Sequence, residues 1–537
     1  MTDTAPSDRR ASVPIPAVPN PPDPSRRVVR SGRVARRTAL GTVALLLAAT
    51  APAVAQEGTL VLPQATDIGS LDPDNAFEVD GLGVVNALYE GLVEYAPGST
   101  ELVGLLAEGW TVSGDGLTYT FDLRDGVTFH DGASMDAQAV QRALERRRDG
   151  DLVLSYFLGN VAGMETPDAD TLVVTLSNPQ PSFLDALASP WGPKVVAPSA
   201  LEAEAETPGT LNETAVGTGP FRLARFDRGT GYELERFDGY WGEAPHFERV
   251  RIDILPDMSQ QILRLRTGDI DAVPRGYPWA QLRAVAGDAA ITAADSMALV
   301  IAFVKPGSPL DDETVRGAIL TALDPAGWSQ DAFGDYAGAA RSLYPRAMID
   351  PDEPIAFPSD MDAARATIEA AGDVTLTIGY PTADAGTLSR VADLLVAQLS
   401  AIGVQATATA VPTGAEFNFQ SDMNAAPDLL LARNSPDAAH PDTQAPVFYA
   451  TGGPINVMGV SNAEADAIAT EAAALTDREA RDAAYLEAGR LWFDAGQFIP
   501  LVDLQDVVVH RDGLTDLGLR PVFPPGNIDL GTVRYGD

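Results

Sequence analysis

Along residues 117–132, LTYTFDLRDGVTFHDG, apolar and polar side chains alternate. Leu117, Tyr119, Phe121, Leu123, Val127 and Phe129 take odd positions, while Thr118, Thr120, Asp122 and Arg124 take even ones. Period-two alternation predicts a half-buried antiparallel strand, with Asp115-Gly116, Asp125-Gly126 and Asp131-Gly132 supplying turns. His130 has the parity of the polar face and leads into the last turn. A His–Asp pair also suits a metal or catalytic site, but a metal needs further ligands. The chain has four histidines (His130, His246, His440, His510), no cysteine and no histidine pair at i, i+4 spacing. His130 is therefore predicted to mark the end of a strand.

Strand and helix patterns alternate through the rest of the chain. GTLVLPQA (58–65), DTLVVTL (170–176), VRIDIL (250–255), IDAV (270–273), VTLTIGYP (374–381) and FIPLVDLQDVVVH (498–510) read as strands. SQQILRLRTG reads as a helix stopped at Gly268, and DDETVRGAILTALD puts Val315, Ala318, Ile319, Ala322 and Leu323 on one helical face. LSRVADLLVAQLSAIG is an amphipathic helix closed by Gly403. Two capping boxes, Ser461-x-x-Glu464 and Thr476-x-x-Glu479, start the late helices, the second of which turns Ala484, Ala488, Leu491 and Trp492 inward. Such alternation predicts α/β layers rather than a β-sandwich or a helical bundle.

A length of 537 residues allows two to four structural units. A net charge of −38 argues against a nucleic-acid groove or an anionic membrane surface as partner. The N-terminus departs from this acidity. Residues 1–37 carry eight arginines and three aspartates, and TALGTVALLLAATAPAVA follows, too short to span a bilayer comfortably. Basic region, short apolar region and Ala53-Val54-Ala55 together predict an export signal cleaved after Ala55, and Arg36-Arg37 resembles a twin-arginine signal. Loss of residues 1–55 makes the net charge more negative by five. Without cysteine the exported protein has neither disulfides nor a lipid-anchor site, so its core must hold it. A periplasmic protein without direct membrane insertion is expected.

A series of motifs resembles extracellular solute-binding protein family 5, the dipeptide, oligopeptide and nickel-type binding components of ABC importers. The matching stretches are LDPDNAF (71–77), LYEGLVEYAPGS and LLAEGWTVSGDGLTYTFDLRDGVTFHDG (within 88–132), VGTGPFRLARF (216–226), GYWGEAPHFERVRIDILPD (239–257), LRTGDIDAV (265–273) and DETVRGAILTALD (312–324). They run in the family's order and cover most of the chain after the signal. The resemblance implies an α/β, two-lobed periplasmic-binding-protein fold with mixed sheets, an enlarged discontinuous lobe I and a hinge of two crossing strands. Lobe I would span 56–300, lobe II 301–498, and 499–537 would return to lobe I. The crossings would lie near 297–307 and 498–507. Trp110, Tyr240 and Trp241 fall in framework motifs and are assigned to the core.

Peptide binders of this family hold the ligand's ammonium with an aspartate four residues before a proline, after a buried strand. Asp437 has that register relative to Pro441, following DLLLA. A cationic amine leaving water needs a carboxylate and further acceptors; a surface loop aspartate is the competing reading. Where those binders carry tryptophan, three residues earlier, this chain has Asn434, which leaves room for another amine or a polar solute. Tyr277 and Trp279 follow the GDIDAV strand, where they would either stack on a ligand or pack in the core. Arg433 and Arg341 are candidates to pair with a ligand carboxylate, or are surface residues.

The resulting expectation is a non-enzymatic, monomeric receptor without a cofactor, delivering a peptide or similar small amine-bearing solute to a permease. Capture of a metal chelate with His440 near the cleft is the alternative. A secreted hydrolase is disfavoured because the sequence has no G-x-S-x-G, no H-E-x-x-H and no cysteine nucleophile.

Overall fold

The computed structural model describes residues 58–285, 289–522 and 527–536. The expected export signal over 1–55 lies outside the described residues. Among those described, no helix is long and apolar enough to cross a membrane.

The opening alternation forms a hairpin. Strand Thr118–Leu123 pairs antiparallel with Ala107–Val112 and with Thr171–Leu176, which pairs in turn with Val161–Glu165. Tyr119, Phe121 and Leu123 are buried, as their parity requires. The strand stops at Leu123, so Val127 and Phe129 reach the core from an irregular segment. Gly116, Gly126 and Gly132 all have positive φ, the geometry that makes these three turns glycine positions. His130 ends this segment as a backbone staple. Gly217 N donates to its Nδ1 at 3.2 Å, which leaves Nε2 to donate to Gly219 O at 3.0 Å. Burial lowers its pKa, consistent with a neutral ring.

A second four-stranded sheet has the order Thr59–Gln64, Arg249–Ile254, Gly231–Arg236, Phe221–Asp227, its first pair parallel and the others antiparallel. These two sheets share one large core. The C-terminal segment adds Leu514, Leu517, Leu519, Val522, Ile528, Leu530 and Val533 to it, which is why the chain returns here. Two further cores are built almost wholly from residues 297–504. The chain thus forms two lobes.

Between the lobes run two long antiparallel strands, Ala290–Val304, which begins well before the expected crossing near 297, and Phe498–His510, which has the bounds its pattern predicts. They belong to a seven-stranded mixed sheet that also contains Ala272–Val273 at one end and Leu429–Asn434, Thr375–Pro381 and Gln405–Val411 at the other. Their register shifts between Asp295 and Leu299, where residues 296–298 stand opposite Leu504 alone. A bulge bends a strand and raises its local twist. It lies where the strand passes from the first lobe's packing to the second's.

The late helices begin one residue beyond the expected capping boxes. Ala463–Ala472 is capped by Asn462, which accepts from Ala465 N, and Arg478–Asp494 by Asp477, which accepts from Ala480 N. Asn and Asp cap as well as Ser and better than Thr, so the adjacent residue takes the role. Glu464 and Glu479 then sit in the first turn, where a negative charge favours the helix dipole.

Candidate functional site

The site is built where the loop after strand Leu429–Asn434 crosses to lobe I. Ser189 Oγ donates to the Asp437 carbonyl at 2.6 Å, Ala439 N donates to Tyr95 Oη at 2.9 Å, and Ser182 Oγ donates to Asp442 Oδ2 at 2.9 Å. Tyr95 Oη donates in turn to Asp185 Oδ1 at 2.9 Å. These bonds fix the loop's backbone and aim one side chain at the seam. Asp437 Oδ2 accepts from Tyr156 Oη of lobe I at 2.7 Å. Burial pushes the Asp437 carboxyl above the usual carboxylate range, opposed by the Tyr156 hydroxyl. Among the described residues no ion pair meets this carboxylate.

The lobe I side of the seam is held by the acids of LDPDNAF. Arg146 pairs with Asp72 at 2.7 Å and with Asp74. Arg147, fully buried, pairs with Asp74 at 2.5 Å and donates to the Trp191 carbonyl at 2.7 Å. Asn75 Oδ1 then accepts from Val153 N at 3.3 Å. The clamp leaves Phe77 46%, Val153 56% and Tyr156 55% exposed, with Phe77 tilted against Trp191 at 5.3 Å. Exposed apolar side chains beside a carboxylate make an amphipathic wall.

A cluster of opposite charges joins both lobes near the crossing strands. Arg433 pairs with Asp384 at 3.4 Å and Arg275 with Asp80. Arg275 also feels Arg433, Asp506 and Asp384, and burial lowers its pKa. Arg433 is thus engaged by a carboxylate of its own lobe. Arg341 ties its own loop through Asp350 at 2.7 Å and the Pro351 carbonyl at 2.6 Å. Asn434 is 1% exposed and donates to Tyr449 Oη at 3.3 Å inside lobe II. Tyr277 packs with Leu255, Ile262, Leu265 and Val509. Trp279 meets Phe333 edge-on at 5.1 Å and donates through Nε1 to Thr387 Oγ1 at 3.3 Å. Of the six residues singled out in the sequence, Asp437 stands at the seam, and Arg433 and Trp279 contribute to lobe-to-lobe electrostatics and packing. Tyr156, Ser189 and Phe77 were missed, since no local spacing links them to Asp437.

His440 is buried, its Nδ1 accepting from Asp442 N at 3.1 Å and its pKa pushed down to about 3 by burial. Among the described residues no group of three metal-ligating side chains comes together.

Residues 101–456 match the model of the bacterial extracellular solute-binding proteins, family 5 Middle. The chain belongs to that family. This family 5 solute-binding protein is 29% identical to the glutathione-binding protein GsiB of Salmonella typhimurium over 484 residues, 88% of this chain and 93% of the relative. Its fold is similar to that of the periplasmic binding protein DppA of Helicobacter pylori in complex with peptide STSA (TM-score 0.72, 21% identity, 89% and 98% of the two chains). It is similar likewise to NikA of Brucella suis in complex with Fe(III)-EDTA (TM-score 0.76, 21% identity, 89% and 100%).

Proposed function

We propose that this protein captures a peptide or a similar small amine-bearing solute between its lobes and delivers it to an ABC permease, as a binder rather than a catalyst. Asp437 carries the reading: a half-buried carboxylate, held by both lobes, with a hydroxyl donor and no cationic partner among the described residues. A ligand ammonium completes it. The names of the relatives, a glutathione binder and a peptide-bound protein, point the same way. A metal chelate is the second reading; His440 is buried with Nδ1 engaged by Asp442 N, and among the described residues no group of three metal-ligating side chains comes together around it. Lobe I would take 56–300 and 499–537, lobe II 301–498. The protein would act outside the cytoplasmic membrane as a monomer after cleavage following Ala55.

Mass spectrometry of the solute that co-purifies with native protein identifies the ligand class. Calorimetry with glutathione, a short-peptide mixture and their N-acetylated forms tests the amine. Binding of the free amines and loss of the acetylated forms is expected; equal binding of both forms overturns the reading.

A further inference from the structure

We propose that lobe I contains a second binding site, separate from the seam, in which Lys194 receives the carboxylate of a small organic anion. The site is a cavity of about 750 Å³, and none of its lining residues comes from 301–498. It cannot therefore be the space between the lobes. Its size lies within the range of small-molecule pockets, roughly 300–1,000 Å³.

The charges of the wall are mostly matched to one another. Arg520 pairs with Glu94 at 2.7 Å and Asp529 at 2.9 Å. Glu90 accepts from Tyr240 Oη at 2.8 Å and Trp241 Nε1 at 2.9 Å. Framework residues Tyr240 and Trp241 thus line the cavity, Trp241 packing against the large core at the same time. Lys194 differs from these groups in having no direct partner. It lines the cavity, burial lowers its pKa to about 8 although the nearby Glu94 and Glu90 pull it back up, and no hydrogen bond or close ion pair reaches its ammonium among the described residues. An ammonium partly removed from water without a direct acceptor is unfavourable, and an entering carboxylate supplies one. The chain makes this position unusual, since it has only two lysines, Lys194 and Lys305, against a large excess of arginine. Lys305 is satisfied, donating to the Ala426 carbonyl at 3.0 Å. Arginine's planar fork suits the fixed pairs of the wall, whereas a lysine ammonium is a compact charge that can follow a mobile partner.

A second polar atom is also unmet. Asn86 lines the cavity and its buried Oδ1 has no hydrogen-bond partner. A ligand that carries a hydrogen-bond donor besides its carboxylate answers both groups, so hydroxy and amino acids fit better than a plain carboxylate.

Two lysines make the test direct. Reductive methylation of the full exported protein with 13C-formaldehyde gives two lysine signals and one for the N-terminal amine; Lys194→Arg and Lys305→Arg assign them. Titration with L-lactate, L-alanine and propionate in chloride-free buffer should shift the Lys194 signal saturably, leave Lys305 in place, and do so equally in Asp437→Asn. Lactate or alanine should bind at least threefold more tightly than propionate. Equilibrium dialysis of 14C-lactate against the unmethylated parent and Lys194→Met covers the case in which Lys194 resists labelling. There the variant should lose at least tenfold in affinity. An unmoved Lys194 signal together with unaltered dialysis overturns the site. A response abolished by Asp437→Asn assigns the anion to the seam and overturns it too.

Discussion

Replacing Asp437 with asparagine keeps its shape and its ability to accept from Tyr156 while deleting the charge. In the protein as described, one neutral donor at 2.7 Å contacts the carboxylate, and burial already disfavours ionisation. An incoming ammonium at about 3 Å would gain roughly 5 kcal/mol of attraction at an effective dielectric near 20. Desolvation of both ions takes back much of this. Measured losses for close charge pairs are about 2–5 kcal/mol, and the partial exposure of Asp437 argues for the lower end, about 2–3 kcal/mol. That corresponds to a roughly 30- to 150-fold weaker Kd. Calorimetry with glutathione or the co-purified solute reads it directly. The empty variant should melt at the parent's temperature or slightly above, because it no longer holds a poorly solvated charge. A raised carboxyl pKa adds a second signature. The parent should lose affinity as pH falls through that pKa, whereas Asp437→Asn should bind weakly at every pH. Binding within about threefold of the parent, or a parent affinity independent of acid, would refute the ammonium contact.

Other outcomes follow from the same geometry. Tyr156→Phe removes the hydroxyl that bridges the lobes to Asp437; small-angle scattering should show a larger radius of gyration for the empty variant, and an unchanged radius would show that this bond does not hold the lobes together. Ligand should shrink the parent about its bulged crossing strands and raise its melting temperature; no change at saturation would exclude a mobile hinge. Glu90 is pushed up by burial from near 4.5 to about 7, so it binds its proton more tightly when folded. Its contribution is complete below pH 4.5 and is lost as pH rises to about 7, by about 3 kcal/mol. Urea unfolding across this window should show a shallower fall in Glu90→Gln, while Asp503, also raised to about 7, keeps a fall of its own; identical pH curves would contradict the assignment. His130→Ala should cost about 2–3 kcal/mol by leaving Gly217 N and Gly219 O without their partner, with solute affinity unchanged; lost affinity would give His130 a role beyond stapling.

What could be read in the sequence follows the range of the forces involved. Period-two and helical patterns report local burial, and strands such as Phe498–His510 appear with their predicted bounds because both faces meet a core. Asp437 was accessible because the register of one loop survives in one stretch of chain. Its partners were not. Tyr156 is 281 residues away and Ser189 248, so they become neighbours only when two lobes are folded and brought together. The same limit explains Asn434 and Tyr277, whose residue types suit a binding wall but whose side chains are directed into cores by their strand and helix ends. Lys194 illustrates the converse case. In the sequence it is one cation in PWGPKVVAP; only in three dimensions, with Arg520 paired to Glu94 and Asp529 and with Glu90 bonded to Tyr240 and Trp241, is its ammonium left without a direct acceptor. Sites made from residual charge are therefore invisible to motif reading, because what defines them is the partner that every neighbouring group already has.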